Sequence, residues 1–166
     1  MTINTLEIKK IKEDKIFKKK IEDKLFWVKP IKESDYKQGD IKAHIIYFKI
    51  LKKYLKDSLP KIKSKKIKIE NRKYLVNYVE NISGKILSEK DFAKLLKLEI
   101  NIKLMKGINK LLEKGYVLDF YGKKNFIQGK NKKIYYIDTR MPLFTKNSNE
   151  GNRFNISKKK TLKFLK

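Results

Sequence analysis

Lys114-Gly115-Tyr116-Val117-Leu118-Asp119-Phe120-Tyr121-Gly122-Lys123-Lys124-Asn125-Phe126-Ile127, followed closely by Lys133-Ile134-Tyr135-Tyr136-Ile137-Asp138-Thr139, carries the strongest functional signal in this 166-residue chain. Gly115 closes a preceding helix, and Tyr116 to Leu118 reads as a short strand. A polar loop then runs to Asn125. Asn125 to Gln128 is strand-like again, Gly129 to Asn131 is a turn, and Lys133 to Ile137 is a strand ending on Asp138. Alternation along that last strand turns one of Tyr135 and Tyr136 inward and the other outward, a pattern of packing.

Working outward, Ser88 precedes Glu89 and Asp91 and then an apolar period of Leu95, Leu98, Ile102, Met105, Ile108 and Leu112. This predicts a long helix with an N-cap and an acidic first turn, open to a break into two near Leu98 to Asn101. Before it, Lys61 to Glu70 and Lys73 to Val79 read as strands around the turn Asn71-Arg72, the run from Tyr74 to Val79 having the composition of a buried strand. Ile41, Ile45, Phe48, Leu51 and Leu55 recur at helical spacing and predict an amphipathic helix over 40–56, stopped by Pro60. His44 sits one residue before a stripe position and reads as a boundary residue. Leu6 to Ile11, Lys15 to Ile21 and Leu25 to Ile31 predict an antiparallel meander, reversed at Glu13-Asp14 and Glu22-Asp23. The tail from Lys146 to Lys158 is polar, and a short helix fits the basic end from Lys159 to Lys166.

The apolar content, 40% hydrophobic with 11% aromatic, suffices for a core. The chain has no cysteine and one histidine, which excludes disulfides, thiolate zinc sites and Cys nucleophiles and disfavours His-based metal sites and Ser-His-Asp catalysis. No apolar run reaches the roughly 18 to 20 residues of a membrane span, and the lysine-studded start lacks a signal-peptide core, so a cytoplasmic location is expected. The formal charge is +26, yet 41 of the basic residues are lysines and only Arg72, Arg140 and Arg153 are arginines. Together with abundant Ile and Asn, this matches an AT-rich coding bias. Specific phosphate and base recognition leans on the planar arginine fork, so the charge by itself is weak evidence for nucleic acid.

The order of strands, one helix, strands, a polar switch, a helical segment and then a loop and strand rich in Asp and Asn resembles the protein-kinase-like superfamily. The stretch 114–139 is similar to its catalytic loop and metal-binding strand, especially in the small bacterial branches that phosphorylate lipopolysaccharide sugars, where the last motif often reads Ile-Asp. The resemblance implies a minimal α+β kinase-like fold, with residues 1–80 as an N-terminal antiparallel sheet with one helix and residues 81–166 as a reduced helical lobe. Asp119 would be the catalytic base, Asn125 and Asp138 the Mg²⁺ ligands, and Lys123 or Lys124 a neutraliser of charge on the transferred group. Phe26-Trp27-Val28-Lys29 resembles the strand whose lysine grips the nucleotide phosphates. The run from Tyr78 through Val79, Glu80, Asn81 and Ile82 to Gly84 looks like the hinge whose backbone meets the adenine. ATP, Mg²⁺ and a hydroxyl acceptor on a sugar or a protein are the implied ligands. The Lys158-Lys159-Lys160 run would suit peripheral contact with anionic lipid at the inner face of the membrane.

The pattern is departed from in four places. Asp119 precedes Asn125 by six residues where the family has five, and no glycine precedes Gly39 to form a Gly-rich loop. The helix over 40–56 contains no glutamate for Lys29, leaving Asp35, Asp40 or nothing, and only 28 residues follow Asp138. Two rival readings follow. One is a catalytically inactive kinase-like binding protein. The other is a winged-helix nucleic-acid binder, with Leu104 to Lys114 as recognition helix and Lys123 to Lys133 as the wing.

Overall fold

The structure, a computed structural model, describes residues 2–34, 40–121, 124–138, 143–147 and 151–166. In chain order its elements begin with α1 (Thr5–Lys12), β1 (Phe17–Ile21), β2 (Lys24–Lys32), α2 (Ile41–Leu55), β3 (Ile62–Ile69), β4 (Arg72–Glu80) and β5 (Lys85–Ile86). They continue with α3 (Glu89–Leu96), α4 (Ile102–Glu113), β6 (Tyr116–Leu118), β7 (Phe126–Gln128), β8 (Ile134–Tyr136), β9 (Leu143–Thr145) and α5 (Gly151–Phe164). The class is α+β, with an antiparallel N-terminal sheet and several helices. The backbone divides into two units, Met1–His44 with Pro60–Asn81, and Ile45–Leu59 with Ile82–Lys166.

The first unit holds a four-stranded antiparallel sheet in the order β1-β2-β4-β3. Its pleat puts Phe26 and Val28 on one face with Tyr74, Val76 and Tyr78, and Ile11 and Phe17 complete that cluster. Each such buried side chain contributes roughly 1.5–3 kcal/mol. Trp27, Lys29 and Ile31 share the other face with their cross-strand partners Leu75, Asn77 and Val79. Tyr74 through Val79 are all buried, as their composition predicts.

The segment Leu6 to Ile11, expected as a strand, is helical. Asn4 and Glu7 form a reciprocal capping box, Asn4 Oδ1 accepting from the Glu7 N–H at 2.9 Å and Glu7 Oε2 from the Asn4 N–H at 3.2 Å. That nucleates a turn whose one fully buried side chain is Ile11. The hairpin between β1 and β2 turns on Glu22 and Asp23, both left-handed (φ 47° and 62°), the conformation of the two-residue turn that matches strand twist. In the second hairpin the reversal is at Glu70-Asn71, one residue earlier than expected. His44 is fully buried and occupies the stripe of α2 with Ile41, Phe48, Leu51 and Leu55, while Ile45 is only half-buried.

In the second unit β5, β7 and β8 form one small sheet and β6 pairs with β9 in another. Ser88 caps α3 by accepting from the Asp91 N–H at 3.1 Å. A 3-10 turn over Glu99–Asn101 separates α3 from α4, at the break the apolar period leaves open. Gly115, at φ 80°, ends the helical segment in the left-handed region. Asn101 is buried and spans that turn. Its Nδ2 donates to the carbonyls of Leu95 (2.8 Å) and Lys132 (3.0 Å), and its Oδ1 accepts from the Ile134 N–H at 2.9 Å. Three elements differ from expectation. Strands β5 and β9 are additional to the expected ones, and α5 begins at Gly151, well before Lys159, because Phe154, Ser157, Thr161 and Phe164 bury one face of it.

Candidate active site

Asp119 follows β6 and is 7% exposed. Its Oδ1 accepts from the Tyr121 N–H at 2.8 Å, closing an Asx turn that fixes the start of the loop. The next backbone groups are tied to α5: the Phe120 N–H donates to Ser157 Oγ at 3.1 Å, and the Phe120 carbonyl accepts from Lys160 Nζ at 3.0 Å. Lys160 also pairs with Glu89. Asn125 closes the loop, donating from Nδ2 to the Asp119 carbonyl at 2.9 Å.

Asp138 comes in through the β7–β8 ladder. Phe126 faces Tyr136, and the ladder is prolonged by the Ile137 N–H donating to the Asn125 carbonyl at 2.9 Å, so Asn125 stands beside the residue that precedes Asp138. Tyr136 completes the arrangement. Its ring is fully buried and its hydroxyl accepts from the Asp119 N–H at 3.2 Å. Burial, and then the negative charge of Asp138, push that hydroxyl well above the ordinary tyrosine range, the Asp119 N–H opposing the shift and the Asp119 carboxylate adding the smallest contribution to it. One buried phenol therefore lies within electrostatic reach of both carboxylates. The sequence shows Tyr136 only as packing, and nothing local marks it as the tie between the two segments.

The segments that carry Asp119, Asn125 and Asp138 are thus tied together in the second unit, and oxygen donors of these types could hold Mg²⁺. With Nδ2 of Asn125 committed to the Asp119 carbonyl, its Oδ1 is the end that remains to accept or coordinate. Among the described residues no group of three or more His, Cys, Asp or Glu side chains is placed to hold a metal ion. A hard cation that keeps waters and takes part of its shell from phosphates fits two protein oxygens better than one needing a full protein cage. Beside Asn125 opens a cleft of about 260 Å³ lined by Phe92, Phe120, Tyr121 and Phe164, with Lys160 and Glu89 among its polar groups. Phe120 stacks on Phe126 at 4.9 Å and meets Phe92 edge-on at 5.3 Å.

Most of the other expected site residues belong to the first unit. Lys29 is half-buried on β2 opposite Asn77, in the first unit. Tyr78, Val79, Glu80 and Asn81 belong to that unit too, and the chain passes to the second unit at Ile82. The Tyr78 side chain is in the sheet core, the Glu80 N–H donates to the Lys61 carbonyl and the Asn81 N–H to the Leu25 carbonyl, each at 2.9 Å. Asn81 Oδ1 accepts from Trp27 Nε1 at 2.7 Å. Of the remaining candidates, Lys124 is exposed, while Lys123 and Asp35 lie outside the described residues. No helix among the described residues is long and apolar enough to cross a membrane.

No family model matches the sequence, and no curated protein matches it. Among solved structures the chain is similar to the Cydia pomonella granulovirus kinase PK-1, at 16% identity and a TM-score of 0.48, the match covering 86% of this chain and 58% of that one.

Proposed function

We propose that the chain is a minimal kinase-like phosphotransferase that moves the γ-phosphoryl group of ATP to a hydroxyl, with Mg²⁺. The observation that carries this reading is that the loop of Asp119 and Asn125 is tied to the strand leading into Asp138, through the Asp119 N–H on the Tyr136 hydroxyl, Asn125 Nδ2 on the Asp119 carbonyl and the Ile137 N–H on the Asn125 carbonyl. Phosphoryl transfer needs little covalent help from protein, so positioned carboxylates and cations are the chemistry required. In this reading Asp119 orients the acceptor hydroxyl and accepts its proton, and Asn125 and Asp138 hold the metal. A bound Mg²⁺ would supply neutralisation of the phosphate charge. Lys29 grips the phosphates, the run from Tyr78 to Ile82 meets the adenine, and Lys123 or Lys124 offsets charge on the transferred group. The acceptor is a sugar or protein hydroxyl, a lipopolysaccharide sugar being the finer form of the proposal, with the protein in the cytoplasm or at the inner membrane face.

An inactive, nucleotide-binding version is favoured by the lack of any glycine before Gly39. The winged-helix reading fares less well, since β6 ladders with β9 and β8 with β7, whereas a wing over Lys123 to Lys133 would pair β6 with β8. Thermal unfolding with and without Mg-ATP tests the proposal. Ligand at about a hundred times its Kd adds roughly 2.7 kcal/mol, a rise of several degrees in Tm. That rise should vanish in Asp138→Ala, and Lys29→Ala should chiefly lower phosphoryl transfer. A retained rise without transfer means the inactive form. No metal-dependent rise, or full activity in both variants, overturns the reading and makes a DNA titration at two salt concentrations the next experiment.

A further inference from the structure

The first unit contains a second concave feature, about 330 Å³, lined by Ile41, Lys42, Lys66, Lys68, Lys73 and Tyr74, with Glu33 as the one carboxylate in its wall. Register explains how the lysines meet. Lys66 and Lys68 alternate onto the same face of β3, about 6.7 Å apart along the strand. Lys68 lies directly opposite Lys73 of β4, and Lys42 comes from the first turn of α2. All four are exposed, and among the described residues no carboxylate forms an ion pair with any of them.

Lysines on an edge strand commonly guard it against pairing with another chain. That accounts for Lys66 and Lys68 on β3, an edge of the sheet. It does not account for Lys73, on the interior strand β4, nor for Lys42, on a helix. Like charges placed opposite one another across a ladder destabilise it. Random solvated lysines would spread over a convex surface, whereas these four converge on a hollow. A bound anion removes the repulsion. Lysine serves as a mobile point charge for phosphate, and a hollow of this volume takes a small ligand.

We propose that this hollow binds a small, multiply phosphorylated group, held by Lys42, Lys66, Lys68 and Lys73. The site is separate from the proposed Mg²⁺ ligands and independent of the phosphotransferase reading. The chemistry is shared by a free polyphosphate and by a phosphorylated lipid headgroup. The test is calorimetric titration of the whole protein with tripolyphosphate in EDTA, which silences any metal-dependent site. Phosphatidylcholine vesicles with and without phosphatidylinositol phosphate form a second arm. Saturable one-to-one binding is expected, weakened by about tenfold or more in Lys68→Gln/Lys73→Gln. Tm of that variant should be unchanged or raised, since a repulsion is removed. Lys94→Gln/Lys97→Gln at the end of α3, two exposed lysines with the same charge loss, should bind as wild type. Tripolyphosphate binding lost in the β3–β4 variant identifies a free ligand, and vesicle binding alone, lost in the same variant, a headgroup. Equal losses in both variants, retention in the β3–β4 variant, or no saturable binding in either arm overturns the proposal.

Discussion

The Asp119 N–H and the Tyr136 hydroxyl are joined at 3.2 Å, seventeen residues apart in sequence and both buried. The bond ties the loop after β6 to the strand that delivers Asp138.

Tyr136→Phe should separate the proton chemistry of this tie from its packing. Because the folded-state pKa is raised, the unfolded chain releases the tyrosine proton first, from about pH 10 upward, and stability falls as pH rises toward the folded value. Below pH 10 that contribution is fully present. Burial also raises Tyr78, so a shallower decline remains in the variant. Urea unfolding between pH 9 and 11 should show a steeper loss for wild type than for Tyr136→Phe. Parallel slopes would contradict the placement of the phenol.

Asn101→Ala removes three hydrogen bonds of a buried amide and leaves the buried Ile134 N–H unsatisfied, while the Leu95 carbonyl still accepts from the Leu98 N–H. With roughly 1–3 kcal/mol for the unsatisfied group and the other two bonds lost besides, the loss should reach about 2 kcal/mol or more. Denaturant midpoints of the two proteins, compared at equal slope, measure it. A loss under about 1 kcal/mol would mean that the amide is not the brace between the α3–α4 turn and β8.

The β1–β2 turn stores strain, since Glu22 and Asp23 both adopt left-handed φ without being glycine or asparagine. Glu22→Asn with Asp23→Gly supplies the residues that turn prefers and should raise stability by about 1 kcal/mol or more. Thermal unfolding reads the gain directly, and a lowered Tm would show that the two carboxylates do more than turn the chain.

Gly107→Ala in the middle of α4 should destabilise. Propensity alone predicts a gain of up to about 1 kcal/mol. The added methyl, however, would overlap the Tyr54 carbonyl and the Leu55 side chain, at an overpacking cost of typically 1–3 kcal/mol. The second effect should win in a chemical denaturation experiment.

Much of the architecture is legible along the chain because its signals are local. The all-apolar run of β4, the Ser88 cap, the Gly115 stop and the stripe of α2 each act within a few residues of themselves. The misreadings come where local pattern is ambiguous. Leu6, Ile8 and Ile11 fit either an alternation or a helical face, and the Asn4–Glu7 box, also local, decides for helix. In α5, glycine, asparagine and serine argue against a helix, and burial of Phe154, Ser157, Thr161 and Phe164 overrides them.

By itself the sequence determined the residue types of the candidate site, because Asp119, Asn125 and Asp138 stand out as oxygen donors at strand ends in a chain without cysteine. It also determined most elements, through patterns that repeat within a turn or a strand. Only the tertiary structure decided that the Tyr136 hydroxyl meets the Asp119 N–H, that β9 exists as the partner of β6, and that Lys42, Lys66, Lys68 and Lys73 surround one hollow. Each of these depends on register between segments distant in the chain. Among 41 lysines, no linear pattern distinguishes four that converge from those that merely face water.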